Sequence, residues 1–203
     1  MKALVIVDMQ NDFMPDGALG VPKADEIISI INRLIPKFSL VLATQDWHPA
    51  DHVSFASNHS GKKIGDCIRV AENEQILWPV HCVRGTHGAE LVSSLEKPNI
   101  ASYFYKGTDK NIDSYSAFFD NAHHKSTGLG DYLKSRGIHE VYLAGVATEY
   151  CVLYSAMDAI DLGFTVYVIA NACRPINLDP RDEESALKTM AAKGVKIIRS
   201  IDV

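Results

Sequence analysis

The stretch Lys2-Ala3-Leu4-Val5-Ile6-Val7 is an unbroken apolar run that stops at Asp8, and residues 39–44 repeat the pattern ahead of Gln45 and Asp46. A strand with one wet face alternates apolar and polar residues. A strand covered on both faces does not, and such strands belong to parallel sheets flanked by helices. Further strand-like runs occupy residues 99–105, 141–144, 165–170 and 195–198. Helical periodicity lies between them. Ile27, Ile28, Ile31, Leu34 and Ile35 share one face ahead of Pro36, and a segment from about Leu129 to Ser135 ends at Gly137. Another helix begins around Cys151 and closes at Gly163, and a last one follows Asp179-Pro180 and stops at Gly194. Strands alternating with helices predict one α/β domain, residues 1–203, built on a mainly parallel sheet.

Composition narrows the class. The chain is 203 residues long, enough for one good core, with 47% hydrophobic and 22% charged residues. A net charge of -5 without a basic run argues against nucleic acid or an acidic membrane surface as partner. The opening apolar run is too short for a signal-peptide core, and no segment reaches the length of a membrane span. The expectation is a cytoplasmic protein with reduced thiols. Its four cysteines are scattered, and Cys67 and Cys173 read as small buried hydrophobes.

A parallel sheet gathers the carboxyl ends of its strands along one edge, where α/β folds place their chemistry. Four of those ends here present Asp8, Asp46, Lys106 and Cys151. Cys151 follows Gly145-Val146-Ala147-Thr148-Glu149-Tyr150, which places it on the first turn of a helix, where the helix dipole favours thiolate. Asp8 is then the candidate base for the thiol, and Lys106 the cation that keeps Asp8 ionised. The small residues before the cysteine let the backbone turn sharply, so that the N–H groups of Ala147 and Cys151 can face a developing oxyanion.

A second pattern, Asp46-x-His48-x3-His52 with His81 beside a Trp-Pro turn, suits a divalent metal, zinc most often, with iron or manganese as alternatives. Phe13, Trp78 and Tyr115 supply an aromatic-lined pocket. Residues 53–99 have little periodicity and read as an irregular wall or lid with short helices. His59, His87, His123, His124 and His139 lack a supporting pattern and read as surface residues.

Taken in order, Val7-Asp8-Met9-Gln10-Asn11-Asp12-Phe13, Thr44-Gln45-Asp46-Trp47-His48-Pro49, Trp78-Pro79-Val80-His81-Cys82-Val83, Lys106-Gly107, Tyr115-Ser116-Ala117-Phe118 and Gly145 to Cys151 resemble the isochorismatase-like cysteine hydrolases, and within them the nicotinamidases. The resemblance implies a Rossmann-like three-layer α/β/α fold with a six-stranded sheet. It implies a triad of Asp8, Lys106 and Cys151, and a metal held by Asp46, His48, His52 and His81. It also implies a cis Val146–Ala147 peptide, with Val146 and Tyr150 joining Phe13, Trp78 and Tyr115 around the substrate. The activity implied is hydrolysis of nicotinamide to nicotinate and ammonia through a cysteine thioester. Rival readings are an amidase for another small amide, such as a carbamoyl compound, and a silent metabolite-binding relative. Homo-oligomer formation stays open.

Overall fold

A computed structural model describes residues 1–70 and 73–203. In chain order its elements are β1 (Lys2–Val7), α1 (Ile28–Leu34), β2 (Val41–Asp46), β3 (Cys67–Val70), β4 (Asn73–Ile76), β5 (Ser102–Lys106), α2 (Leu129–Ser135), β6 (Glu140–Val146), α3 (Leu153–Asp161), β7 (Thr165–Arg174), α4 (Asp182–Lys193) and β8 (Lys196–Ile198). Six strands form one sheet in the order β5-β2-β1-β6-β7-β8, and every neighbouring pair is parallel.

The apolar runs are explained by where alternate residues point. On β1, Leu4 and Ile6 pack with Ile27, Ile31, Leu34 and Ile35 on and around α1. Ala3, Val5 and Val7 face the other way, toward Leu129 and Leu133 of α2, Ala156 and Ala159 of α3, and Met190 of α4. Both faces are dry, so β1 has no polar alternation to show. The α1 face is completed by Leu91, Val92, Leu95 and Ile100, contributed by the long irregular segment. Truncating a fully buried leucine such as Leu4 in either layer costs about 2–5 kcal/mol. The three-layer α/β/α expectation therefore holds, with one layer largely non-helical.

Several local expectations are corrected. Strand β2 begins at Val41 rather than Ser39 and runs through Asp46, and β5 begins at Ser102. Pro36 does not stop α1; it sits in a 3-10 turn, Ile35–Lys37, that prolongs the helix, where its missing N–H is no loss. Strand β7 extends to Arg174 past a register shift opposite Leu143 and Gly145, which the run 165–170 does not reveal. The region 53–99 has its expected short 3-10 turns but also the antiparallel pair β3–β4. Those two strands are four residues each and half exposed, too short for a periodic signal. Among the described residues no helix is long and apolar enough to cross a membrane.

From β1 the chain steps outward to β2, whereas from β6 it steps the opposite way to β7 and β8. The carboxyl ends of β1 and β6 therefore bound an open crevice at the reversal point. Gly145, at φ +133°, lets the two strand ends close up there, since a Cβ at that position would run into the Val7 carbonyl oxygen.

Candidate active site

Asp8 stands one residue beyond β1 with φ +51°, a left-handed backbone that swings its carboxylate into the crevice. Thr44 Oγ1 donates to Asp8 Oδ1 at 2.7 Å. Asp46 and Lys106 are register partners at the ends of β2 and β5. The Lys106 side chain is wholly buried: its Nζ lies 2.9 Å from Asp8 Oδ2, contacts Asp46 Oδ1, donates to Ser114 O at 2.9 Å and reaches Cys151 Sγ at 3.4 Å. One ammonium thus serves two carboxylates. Burial disfavours its charge, but Asp46 and Asp8 hold Lys106 protonated well above the ordinary lysine range.

The carboxylates divide this charge unequally. Burial works against ionised Asp46, yet Lys106 and then His48 hold it well below the usual carboxylate range. For Asp8, burial raises the carboxyl above its ordinary value; Lys106 pulls it back and Asp46 pushes it up again. Lys106 thus favours the ionised Asp8 as expected of the cation, but it does not offset burial, and the neighbouring Asp46 charge works against it. A carboxyl raised above its ordinary value is a better proton acceptor than a free one, which suits it to take and return a proton.

Cys151 is not on the first turn of an α-helix. It lies in a π-helical turn, Thr148–Val152, in which the N–H groups of Tyr150 and Val152 both donate to Ala147 O, and α3 starts only at Leu153. The thiol is also not depressed. Burial pushes it well above the usual thiol range, Lys106 opposes this, and Asp8 and Asp46 reinforce it. Desolvation prevails over the Lys106 charge, so the resting group is a thiol that needs a base. Ser155 fixes its backbone by donating to Cys151 O at 2.5 Å, while accepting from Ala117 N at 2.8 Å.

Beside this cluster the three imidazoles are oriented alike. His48 Nδ1 meets Gly107 O at 2.9 Å, His52 Nδ1 meets Ser54 Oγ at 2.7 Å, and His81 Nδ1 meets Pro79 O at 2.8 Å. Each ring has its Nδ1 occupied and its Nε2 directed inward. Asp46 Oδ2 lies 3.5 Å from His48 Nε2 and 3.8 Å from His81 Nε2. His52 Nε2 is buried without a hydrogen-bond partner, and burial pushes that imidazole down to about 4, so it presents a lone pair at neutral pH. This is the donor chemistry a borderline divalent metal takes, and the Nδ1 partners are the outer contacts that fix such ligands.

The four expected ligands do not form one equidistant set. Asp46, His48 and His81 make one group; His48, His52 and Asp113 make a second that shares His48. Asp113, whose Oδ1 is 4.0 Å from His52 Nε2, was not anticipated, since nothing in its local sequence points to metal chemistry. Three other supporting residues sit inside recognised motifs without an obvious task. Gln10 donates to Asp46 O and Ala89 O and accepts from Asp46 N, all within 2.9 Å. Asp12 accepts from Cys82 N at 2.7 Å and so holds the turn carrying His81. Gly107, at φ +61°, leaves room for the His48 ring.

Between the two clusters opens a narrow cleft. Cys151, Ala147, Asp46, His81 and Asp113 reach it, and Phe13, Trp78, Tyr115, Tyr150, Leu19 and Ile176 form its apolar walls. Trp78 meets Tyr150 edge-on at 5.0 Å and donates to the Tyr115 hydroxyl at 3.2 Å. Val146 is the exception among the expected pocket residues. Its side chain is buried in the α1-side core and does not line the cleft. The Val146–Ala147 peptide is cis.

A buried cysteine, aspartate and lysine at the switch point of a parallel sheet, beside a His/Asp donor set that could hold a metal, are the site of an α/β fold of the hydrolase class. The isochorismatase domain matches residues 2–202, and the chain belongs to the isochorismatase family. Within it the chain is similar to nicotinamidases: it is 47% identical over 201 residues to that of Acinetobacter baylyi, spanning 99% of this chain and 94% of the relative. A solved nicotinamidase and pyrazinamidase from Acinetobacter baumanii has a TM-score of 0.96 at 47% identity, with 99% of this chain and 97% of that chain covered. The pyrazinamidase of Pyrococcus horikoshii, solved in complex with zinc, has a TM-score of 0.80 at 40% identity, with 98% of each chain covered.

Proposed function

We propose that this chain hydrolyses nicotinamide to nicotinate and ammonia through a thioester on Cys151, as a single cytoplasmic domain acting in NAD salvage. The observation that carries the reading is the contact of Lys106 with both Asp8 and Cys151 at the floor of an aromatic cleft. Asp46, His48, His52 and His81, with Asp113 adjacent, would hold a divalent ion, zinc being the one the donors suit best. When bound, it supplies a Lewis-acidic anchor for a pyridine nitrogen.

The chain's own residues supply the chemistry. Phe13, Trp78, Tyr115 and Tyr150 enclose the flat ring and exclude water. Asp8 takes the Cys151 proton, and Lys106 balances the charge as sulfur attacks the carboxamide carbon. The N–H groups of Ala147 and Cys151 stabilise the oxyanion. Asp8 returns its proton to the departing nitrogen, ammonia leaves, and the C–S thioester remains. Water then adds to the thioester carbon with Asp8 as base, nicotinate departs, and the thiol is restored.

The test is ammonia release from nicotinamide by zinc-loaded protein, before and after chelation, alongside Cys151→Ala. Turnover should require both the metal and the thiol. Release at the parent rate by the Ala variant would overturn the mechanism. Benzamide, which lacks the ring nitrogen, separates this reading from a general small-amide hydrolase: comparable turnover of both amides would favour the latter.

A further inference from the structure

Glu149 lies two residues before Cys151 in the same turn and is 7% exposed. Its Oε1 accepts from Asn177 N at 2.6 Å. Burial raises the carboxyl above its ordinary value, while N–H groups of Asn177, Glu149 itself and Ile176 draw it back. Asn177 and Ile176 belong to the segment between the end of β7 at Arg174 and the start of α4 at Asp182, a stretch without regular structure. Ile176 from that segment forms part of the cleft wall. Asn177 itself has a left-handed backbone, φ +54°, and its Oδ1 accepts from Glu183 N at 3.0 Å, which ties the segment to the first turn of α4.

The topology gives this contact its meaning. Ala147, Cys151 and Ile176 all line the cleft, and Glu149 joins the turn that carries Cys151 to the segment that carries Ile176. A buried carboxyl oxygen accepting a backbone N–H at 2.6 Å is a directional tie, and it acts where a loop would otherwise set its own distance from the nucleophile.

Resting on the hydrolase reading above, we propose that Glu149 is a positioning residue that holds the Ile176 wall against the nucleophile turn and thereby sets how tightly the cleft grips the substrate ring. It does not touch the reacting atoms. Its loss weakens binding of substrate and transition state alike, so the effect falls on KM and leaves kcat nearly unchanged.

The experiment measures steady-state ammonia release from nicotinamide by zinc-loaded parent, Glu149→Ala, Glu149→Gln, Ile176→Ala and the Glu149→Ala/Ile176→Ala pair, with nicotinate binding followed by calorimetry. Glu149→Ala should raise KM roughly tenfold and weaken nicotinate by a similar factor, with kcat within about twofold. Glu149→Gln, which keeps an acceptor oxygen in place, should restore KM to within about threefold. The double variant should be little worse than either single one, because both remove the same wall. An unchanged KM, a loss confined to kcat, or fully additive effects would each overturn the proposal. If Glu149→Ala does not fold, Glu149→Gln and Ile176→Ala decide: a KM raised roughly tenfold or more by Glu149→Gln, or a parental KM and nicotinate affinity in Ile176→Ala, refutes the tie. A parent without activity on nicotinamide refutes the hydrolase reading, and nicotinate calorimetry on the same variants still tests the wall.

Discussion

Gly107→Ala is the most discriminating perturbation of the candidate metal centre, because it adds one carbon and removes nothing. Gly107 follows Lys106 directly, has φ +61°, and its carbonyl meets His48 Nδ1 at 2.9 Å. A Cβ there would lie 2.5 Å from His48 Nδ1 and closer still to Cε1, so the imidazole must turn away. A left-handed backbone costs a residue with a Cβ about 1 kcal/mol. Losing the hydrogen bond to His48 adds about 1 kcal/mol more. The sum, about 2 kcal/mol, corresponds to a melting-point drop of roughly 4–8 °C for a chain of this size. The misdirected Nε2 should cost zinc affinity about 10–100-fold, read by chelator competition. Gly137→Ala is the control: φ is +65°, but nothing lies within 4 Å of the added carbon. It should lose only the backbone share of stability and no zinc affinity. Equal melting points for the two variants, with parental zinc binding by Gly107→Ala, would refute the steric argument.

Asp8→Asn should lower turnover about 10³-fold with zinc affinity within about threefold of the parent, since Asp8 contacts Lys106 and Thr44 rather than the imidazoles; retained turnover would remove it from the base role. Alkaline stability tests the buried thiols. Burial pushes Cys173 up to about 12 from a reference of 9.0. A thiol whose folded pKa is raised stabilises the fold fully below the unfolded value and loses that contribution as pH climbs toward the folded one. Between pH 8 and pH 10.5 Cys173 should therefore cost the parent about 2 kcal/mol. Urea midpoints of Cys173→Ala should fall correspondingly less over that interval, and parallel curves would contradict the assignment.

The sheet and its chemical edge were legible because their signals are local. Five consecutive buried residues on β1 cannot be written with polar alternation, and Asp8, Asp46 and Lys106, at the ends of β1, β2 and β5, meet at the crevice edge. What escaped notice depends on distance. Asp113 joins the imidazoles only through the packing of its loop, and Gln10 reveals its role only when β2 is laid beside β1. The need of Cys151 for a base is legible in the sequence, but how far burial opposes its thiolate is not. A helix start can be read from neighbouring residues, whereas desolvation by a whole domain cannot. Val146 was placed in the pocket by its neighbours in the motif, but an apolar residue at the end of a central strand goes to the core.

Asp46 turns Oδ1 to Lys106 and Oδ2 to His48 and His81. This split fixes the order in which the site could be dismantled over descent. A lineage that abandoned the metal would be free to replace the three imidazoles one by one, since none of them touches the ammonium. It could not replace the aspartate as freely, because the buried Lys106 charge would lose one of its two anions, a loss of about 3–5 kcal/mol for a pair so deeply placed. An aspartate at this position should therefore outlive the histidines around it, and its presence in a distant homologue is a record of the lysine rather than of the metal.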